Sequence, residues 1–227
     1  MSPPEPKPHR ERSWIQASFS YRLRPYSETP SLEASELSGP SFAFDNSGDA
    51  LALQLHLDGL PAPTSIGAES DLCFEVHDDK GRSLMLYYLQ TVENADADGD
   101  ELELLVVTWP RPSRGSLGAW ERWRRGRPLV CGSWKELNHA GRRSWLDVAL
   151  HRALDPPSVA PTLELDCRDL VDRSSTFCAL GEALGGPGGY RGKDLDGLDD
   201  CVGGSFGTPR PTRLLFTNFD VVHEEHA

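Results

Sequence analysis

The sequence predicts an α+β chain of two domains: a mostly antiparallel β-sheet domain, then a small α/β domain with a short parallel sheet and flanking helices. Three observations predict this fold class. Apolar and polar residues alternate in several stretches between residues 14 and 109, which is typical of half-buried strands. Three prolines within 155–161 predict a stiff linker. After it, two strand patterns enclose two helical patterns, an order that favours a parallel pair of strands.

The predicted β-sheet domain covers residues 13–154 and follows a charged, proline-rich segment, 1–12, that we expect to be disordered. Its strands are expected at 15–24, 42–44, 51–58, 72–77, 83–92 and 101–109. Polar loops are expected at 25–40 and 61–70, and a hairpin turn at 78–81. This spacing predicts an antiparallel sheet of five or six strands, arranged as a meander or a small sandwich.

Residues 110–143 form a basic segment in which Trp120, Trp123 and Trp134 lie among arginines. Two interpretations are open. The tryptophans and arginines of 120–127 could stack on bases and grip phosphates, or they could pair with acidic groups and pack inside the fold. Residues 144–153 are expected to form a short amphipathic helix.

The predicted α/β domain covers residues 162–227. A strand is expected at 162–170 and a helix at about 175–185, capped by Ser174 or Ser175. A glycine-rich segment follows, residues 185–192, which we call the glycine bend. An acidic helix is expected to begin near Asp194, and a second strand at 213–219 completes a β-α-α-β order.

The acidic helix has two faces at 3.6 residues per turn. One face carries three carboxylates, those of Asp196, Asp199 and Asp200. The other is expected to be a buried stripe of Leu195, Leu198 and Val202. The acidic face has two interpretations: a solvated helix start, where acids are common, or an anionic surface that enters a cationic pocket of another molecule.

The residues from Tyr190 to Cys201 run Tyr-Arg-Gly-Lys-Asp-Leu-Asp-Gly-Leu-Asp-Asp-Cys. They resemble the signature of the barstar family, the intracellular inhibitors of barnase-type ribonucleases. That signature is Tyr, an aromatic, Gly, any residue, Asn or Asp, Leu-Asp-Ala-Leu, any residue, Asp-Cys. The preceding segment 178–184 resembles the helix before that loop, and the resemblance covers about residues 160–220. It implies a three-stranded parallel sheet with helices packed on it.

The resemblance also implies a binding function. Barnase-type ribonucleases have a basic active site, which an acidic helix can occupy by imitating phosphates. Asp200 matches the family's principal inhibitory acid, Asp196 its neighbouring acid and Tyr190 a contacting aromatic. Gly192 would let the backbone approach the partner, and Asp199 completes the acidic face.

The sequence departs from the family in four places. Arg191 replaces the second aromatic, Asp199 stands where an aromatic contact can occur, and Ser205 replaces an aromatic, with Phe206 adjacent. After Val221 too few residues remain for the family's further helix and third strand. Either the N-terminal domain completes the sheet, or this domain is degenerate.

Composition limits the function classes. A net charge of −12 argues against a general nucleic-acid binder and suits a basic protein partner. The five cysteines show no CxxC motif, so neither a disulfide framework nor a zinc site is expected, and reduced thiols suit the cytoplasm. The sequence contains no signal peptide and no apolar run long enough for a membrane span.

No catalytic or metal motif is expected to function. Residues 94–100 resemble a calcium loop, but Leu105 stands where its bidentate acid belongs, so a hairpin turn is the favoured interpretation. Gly192-Lys193 lacks the surroundings of a phosphate loop. We therefore predict a protein without enzymatic activity, metal or cofactor: an immunity-type inhibitor that blocks a basic, secreted, barnase-like ribonuclease. The alternative is a regulatory interaction module with a degenerate barstar-like domain, which contacts nucleic acid through residues 120–127.

Overall fold

The computed structural model describes residues 14–16, 19–25, 36–44, 50–58, 72–98, 101–152, 162–202 and 213–220. The expectations for residues 1–12 and 61–70 and for the linker at 155–161 lie outside these ranges. The predicted fold class is confirmed, with an antiparallel sheet followed by a small parallel sheet and helices. Among the helices within the described ranges, none has the length and apolarity needed to cross a membrane.

The N-terminal sheet is antiparallel and has seven strands, so the expected count of five or six is wrong. The strands are β1 Trp14–Gln16, β2 Ser20–Pro25, β3 Glu36–Phe44, β4 Ala50–Asp58, β5 Leu72–His77, β6 Ser83–Asp98 and β7 Glu101–Trp109. Their order across the sheet is β1-β3-β4-β7-β6-β5-β2. The difference arises mainly because the stretch expected as one strand at 15–24 supplies two strands.

These two strands lie at opposite edges of the sheet. β1 pairs with β3 and β2 pairs with β5. The chain from Gln16 to Ser20 spans at most about 14 Å when fully extended. The two edges must therefore approach each other, and the sheet curls around an interior.

Two strands are longer than the alternation predicts. β3 begins at Glu36, inside the expected loop 25–40. β6 continues to Asp98, and its last part pairs with β7 in the register Asp98↔Glu101 and Ala95↔Leu104. The segment that resembles a calcium loop is therefore largely a strand of a hairpin, and no group of metal-binding side chains occurs within the described residues.

Two helices follow the sheet, α1 Arg114–Trp123 and α2 His139–His151. Trp120 extends from α1 into the curled sheet, where its ring centroid lies 5.8 Å from that of Phe42 and 6.0 Å from that of Tyr87. Trp123 packs edge-on against Trp145 of α2 at 5.3 Å. These rings belong to the core, so the interpretation of 120–127 as a base-stacking face is wrong for its tryptophans.

The C-terminal part has the predicted β-α-α-β order. It consists of β8 Thr162–Asp166, a 3₁₀-helix Cys167–Asp169, α3 Arg173–Gly185, α4 Leu195–Val202 and β9 Arg213–Thr217. β8 and β9 pair in parallel, as predicted. The N-cap of α3 is Asp172, whose carboxylate accepts the Ser175 N–H at 2.7 Å. The expected cap at Ser174 or Ser175 is wrong because Ser175 is the N3 partner in a capping box.

The N-terminal domain does not complete the parallel sheet, which has two strands in the described part of the chain. It contributes a helix instead, because α2 packs against α3. A mostly buried ion pair joins them, with Arg142 Nη2 2.6 Å from the Asp172 carboxylate. Burial alone would raise the pKa of Asp172, but the hydrogen bonds from Arg142 and the Ser175 backbone outweigh it and lower that pKa.

The glycine bend is held by the segment between α1 and α2. Arg127 donates to the carbonyl oxygens of Pro187 at 2.8 Å and Gly185 at 2.6 Å. Glu182, which is 7% exposed, accepts Trp134 Nε1 at 2.9 Å, and also accepts the N–H groups of Gly132 at 2.7 Å and Gly188 at 3.1 Å. Residues between α1 and α2 therefore set the conformation of the bend.

These contacts predict that residues 160–227 do not fold cooperatively alone, since Arg127, Trp134 and the face of α2 would be missing. We expect the isolated fragment to lack the near-UV circular dichroism signal and the sharp thermal transition of the full chain. A protease site placed within 155–161 provides the control, because the two cleaved parts should co-elute in gel filtration. A sharp transition in the isolated fragment would contradict this dependence.

Glu182→Ala is expected to lower the free energy of unfolding by about 3 kcal/mol, because three N–H groups lose their shared acceptor. Glu164→Ala is the matched control: Glu164 is an exposed acid of β8, and its loss should change stability by less than about 0.5 kcal/mol. Urea denaturation of the full-length proteins measures both. Equal effects of the two substitutions would mean that Glu182 does not hold the bend.

Candidate protein-binding site

The acidic helix α4 begins at Leu195, next to the residue expected. Asp194 caps its first turn, since its carboxylate accepts the Gly197 N–H at 2.7 Å and its carbonyl accepts the Leu198 N–H at 2.9 Å. The negative charge of Asp194 lies beside the positive end of the helix dipole. This carboxylate is therefore used inside the fold.

The three predicted surface acids of α4 are all exposed: Asp196, Asp199 and Asp200. Within the described part of the chain, no hydrogen bond or ion pair engages their carboxylates. Like charges at spacings of three and four residues repel by about 0.2–0.5 kcal/mol per pair. The face therefore carries concentrated negative charge that the described residues do not neutralise.

The opposite face of α4 differs from the predicted stripe. Leu198 is half-buried against the core and Cys201 is buried. Leu195 is 72% exposed, so its predicted burial is wrong. Gly192 of the bend lies against Gly197 and Leu198 of α4, and Leu195 lies outside this contact. The side chain of Val202 lies outside the described ones.

Gly192 forms the contact between the bend and α4. It has φ +92°, in the left-handed region, and a Cβ there would lie 2.4 Å from the backbone nitrogen of Leu198. The positive φ favours glycine, and the packing leaves no space for a side chain. The absence of a Cβ thus lets the bend support the helix.

Gly188 lies on the other side of the bend, on the ring of Trp123. A Cβ at Gly188 would lie 2.8 Å from the indole carbon Cη2. The bend therefore lies between the Trp123 ring on one side and α4 on the other. Its backbone is held by the hydrogen bonds of Arg127 and Glu182.

Tyr190 is 8% exposed and belongs to the hydrophobic core. Burial, with smaller effects of the nearby Cys201 thiol and carboxylates, raises the pKa of its hydroxyl to about 12. The ring therefore supports the bend from inside the fold, and its contact with a partner stays a prediction.

Arg191 is a buried residue that the sequence pattern did not identify as structural. It is 7% exposed, and its Nη1 donates to the Tyr190 carbonyl. Its Nε and Nη2 have no hydrogen-bond partner among the described residues. Burial, with the neighbouring Arg127 charge, lowers the pKa of this guanidinium. An arginine in the position of the family's aromatic thus packs inward, and its uncompensated donors destabilise the bend.

Lys193 links the bend to α2. Its ammonium lies 3.1 Å from the carboxylate of Asp147. This pair adds a further connection between the C-terminal part and the residues of α2. Of the predicted site residues, the three aspartates are exposed on α4, whereas Tyr190 and Gly192 are buried beneath this helix. Ser205 and Phe206 lie outside the described residues.

Comparison with protein-family models gives a match to the C-terminal region. The family model described as Barstar (barnase inhibitor) matches residues 160–227, less than a third of the chain. The C-terminal region is therefore barstar-like, as the sequence resemblance indicates, and the match includes β8, α3, the bend, α4 and β9. No curated protein and no solved structure matches the chain.

Gly192→Ala is expected to destabilise the protein by about 3 kcal/mol, from backbone strain and the collision with Leu198. Gly81→Ala is the matched control. Gly81 has φ +72° and no atom within 4 Å of its Cβ position, so strain alone should cost about 1 kcal/mol. Thermal unfolding measures both. Equal losses of stability in the two variants would mean that Gly192 has space for a Cβ and that the bend does not pack closely against α4.

Proposed function

We propose that this protein is an inhibitor of barnase-like ribonucleases and acts by binding alone, without catalysis. In this proposal α4 enters the basic active site of the enzyme and its carboxylates occupy the positions of substrate phosphates. The observation that carries the proposal is that the three aspartates are exposed and have no ion-pair partner among the described residues, on a helix anchored by the bend. The barstar-like character of residues 160–227 supports it.

The charge of the acidic face supports fast and specific association. Carboxylates that repel one another in the free protein gain favourable interactions when arginines and lysines approach, which accelerates encounter and determines register. An arginine can pair with one aspartate through two parallel hydrogen bonds. A few such desolvated pairs dominate the affinity of most interfaces. Asp200 is proposed as the principal contact, with Asp196 and Asp199 beside it.

Leu195 supplies an apolar element next to these acids. It is 72% exposed and belongs to the first turn of α4, where it precedes Asp196 directly. Burial of a leucine side chain contributes about 1.5–3 kcal/mol. Contact of Leu195 with the rim of the enzyme's cleft would therefore add affinity that does not depend on salt.

The proposed partner is a basic, secreted ribonuclease, and the proposed location is the cytoplasm of the cell that makes it. All five cysteines lie in the described part of the chain and none forms a disulfide bond; four are buried and Cys131 is exposed, a pattern that suits a reducing compartment. An inhibitor kept inside the producing cell protects its RNA from enzyme that has not yet been exported, which is the role of an immunity protein.

The second candidate is a regulatory interaction module whose acidic face binds another basic protein. Arg191 favours this alternative, because this buried arginine replaces a family aromatic and two of its nitrogens have no partner among the described residues, which changes the interior of the bend. Both candidates use α4, so they differ in the identity of the partner.

Asp200→Asn in the full-length protein should weaken inhibition of a barnase-type ribonuclease at least about thirtyfold, the effect of losing a contact worth roughly 2 kcal/mol. Initial rates of cleavage of a fluorogenic RNA, titrated with inhibitor, measure it. Because the substitution preserves shape, the loss reflects charge and hydrogen bonding.

Asp220→Asn is the control, since Asp220 is an exposed aspartate outside α4 and its change alters net charge equally. It should inhibit as wild type does. If micromolar wild-type protein leaves the ribonuclease fully active, inhibition is excluded for that enzyme class. The regulatory candidate then requires a partner protein that binds the wild type. That partner should no longer bind the variant in which all three aspartates are changed to asparagine.

A further inference from the structure

A cleft of about 610 Å³ lies where the end of β7, the surface of α2 and Lys193 meet. Trp109 and Arg111 contribute one wall, and His139 and Arg143 of α2 contribute another. Pockets of this volume are typical of small-molecule sites. The cleft is formed by residues outside the acidic face of α4, so the proposed inhibition does not account for it.

The cleft is cationic in an acidic protein. Arg111, Arg143 and Lys193 line it, and Asp147 is the single acid among the described residues that line it. Asp147 pairs with Lys193 at 3.1 Å. Arg111 and Arg143 are exposed and have no ion pair within the described part of the chain. Two uncompensated guanidinium groups beside a concave surface favour an anion with several oxygens, such as a phosphate.

Trp109 gives the cleft an aromatic surface. Its side chain is 60% exposed, whereas Trp120, Trp123, Trp134 and Trp145 are at most 2% exposed. An indole that remains largely in water at the edge of a cleft is available for stacking on a flat ligand. Nucleobases stack on such rings irrespective of sequence.

The floor of the cleft is polar. Ser113 and Ser144 line it, and their buried hydroxyl oxygens lie 3.3 Å apart, with the Ser116 hydroxyl 2.9 Å from that of Ser144. Hydroxyl groups can rotate to donate to an entering ligand or to accept from it. Ser113 also caps α1, so the positive end of that helix dipole faces the same region.

We propose that this cleft binds a nucleotide, with the base stacked on Trp109 and the phosphate held by Arg111 and Arg143. The ligand is a free nucleotide or one nucleotide of a single-stranded RNA, since both present a base next to a phosphate. This site is separate from residues 120–127, whose tryptophans are buried. Its positive charge is confined to the cleft, so it is compatible with a net charge of −12 for the chain.

Isothermal titration of the full-length protein tests the proposal with three probes: 5′-AMP, an eight-residue oligoadenylate and inorganic phosphate. We expect binding of AMP or of the oligonucleotide, and about tenfold weaker binding after Trp109→Ala. Trp109→Phe should restore part of the affinity, because a phenyl ring still stacks. Trp109 is largely exposed, so these variants should keep the wild-type melting temperature.

The double change Arg111→Gln and Arg143→Gln should weaken binding at least tenfold and reduce its dependence on salt. Its matched control is Arg125→Gln with Arg213→Gln, two exposed arginines outside the cleft, which should bind as wild type. Similar affinity for AMP and oligonucleotide identifies a free nucleotide as ligand, and at least tenfold tighter oligonucleotide binding identifies RNA.

Three results would overturn the proposal. The first is absence of binding by AMP and oligonucleotide at millimolar concentration. The second is equal loss of affinity in the control double variant, which would indicate general electrostatic attraction. The third is binding that Trp109→Ala leaves unchanged and that inorganic phosphate displaces as well as AMP does, because the cleft would then hold an anion without recognising a base.

Discussion

The presentation of α4 depends on the hydrogen bonds that the Glu182 carboxylate accepts. It is buried, and it accepts N–H groups from Gly132, Trp134 and Gly188. A carboxylate removed from water is strongly unfavourable unless donors surround it. Here the donors come from two segments, one before the predicted linker and one in the bend. Neither segment can adopt its observed position without the other. Folding of the bend is therefore coupled to packing of the residues that precede it.

This coupling has a consequence for recognition. A loop that becomes ordered only on binding loses affinity through the entropy of ordering, and a loop fixed beforehand avoids that loss. The backbone of the bend has little conformational freedom left. Arg127 holds its carbonyl groups, Trp123 packs under Gly188, and Gly192 contacts the backbone of α4. The helix is therefore held in one orientation, and the repulsion among its carboxylates persists until a cationic partner relieves it.

The elements that sequence alone predicts are those whose signal is local. β5 and β7 begin and end where the alternation of apolar and polar residues predicts them, because a period of two residues is a local signal. All six residues of β5 are nevertheless buried, so the half-buried strand expected from its alternation is wrong. The contacts that shape the site are not local. Glu182 meets Trp134 across 48 positions, and no periodicity indicates such a pair. Arg191 could not be predicted for a different reason. A charged side chain is expected to be exposed, but this guanidinium is buried. The acidic face was predictable because exposure of three aspartates requires only helical spacing.

The ion pair between Lys193 and Asp147 explains how an acidic surface and a cationic cleft can coexist around one loop. Asp147 neutralises Lys193, so this lysine does not weaken the negative field of the aspartates that follow it on α4. The same pair engages Asp147, which lines the cleft, so within the described residues the charges of Arg111 and Arg143 remain uncompensated. Without the pair, Lys193 would attract the α4 carboxylates and Asp147 would attract the cleft arginines, and both fields would be reduced. One surface pair contributes little to stability, but its position keeps the two opposite potentials distinct.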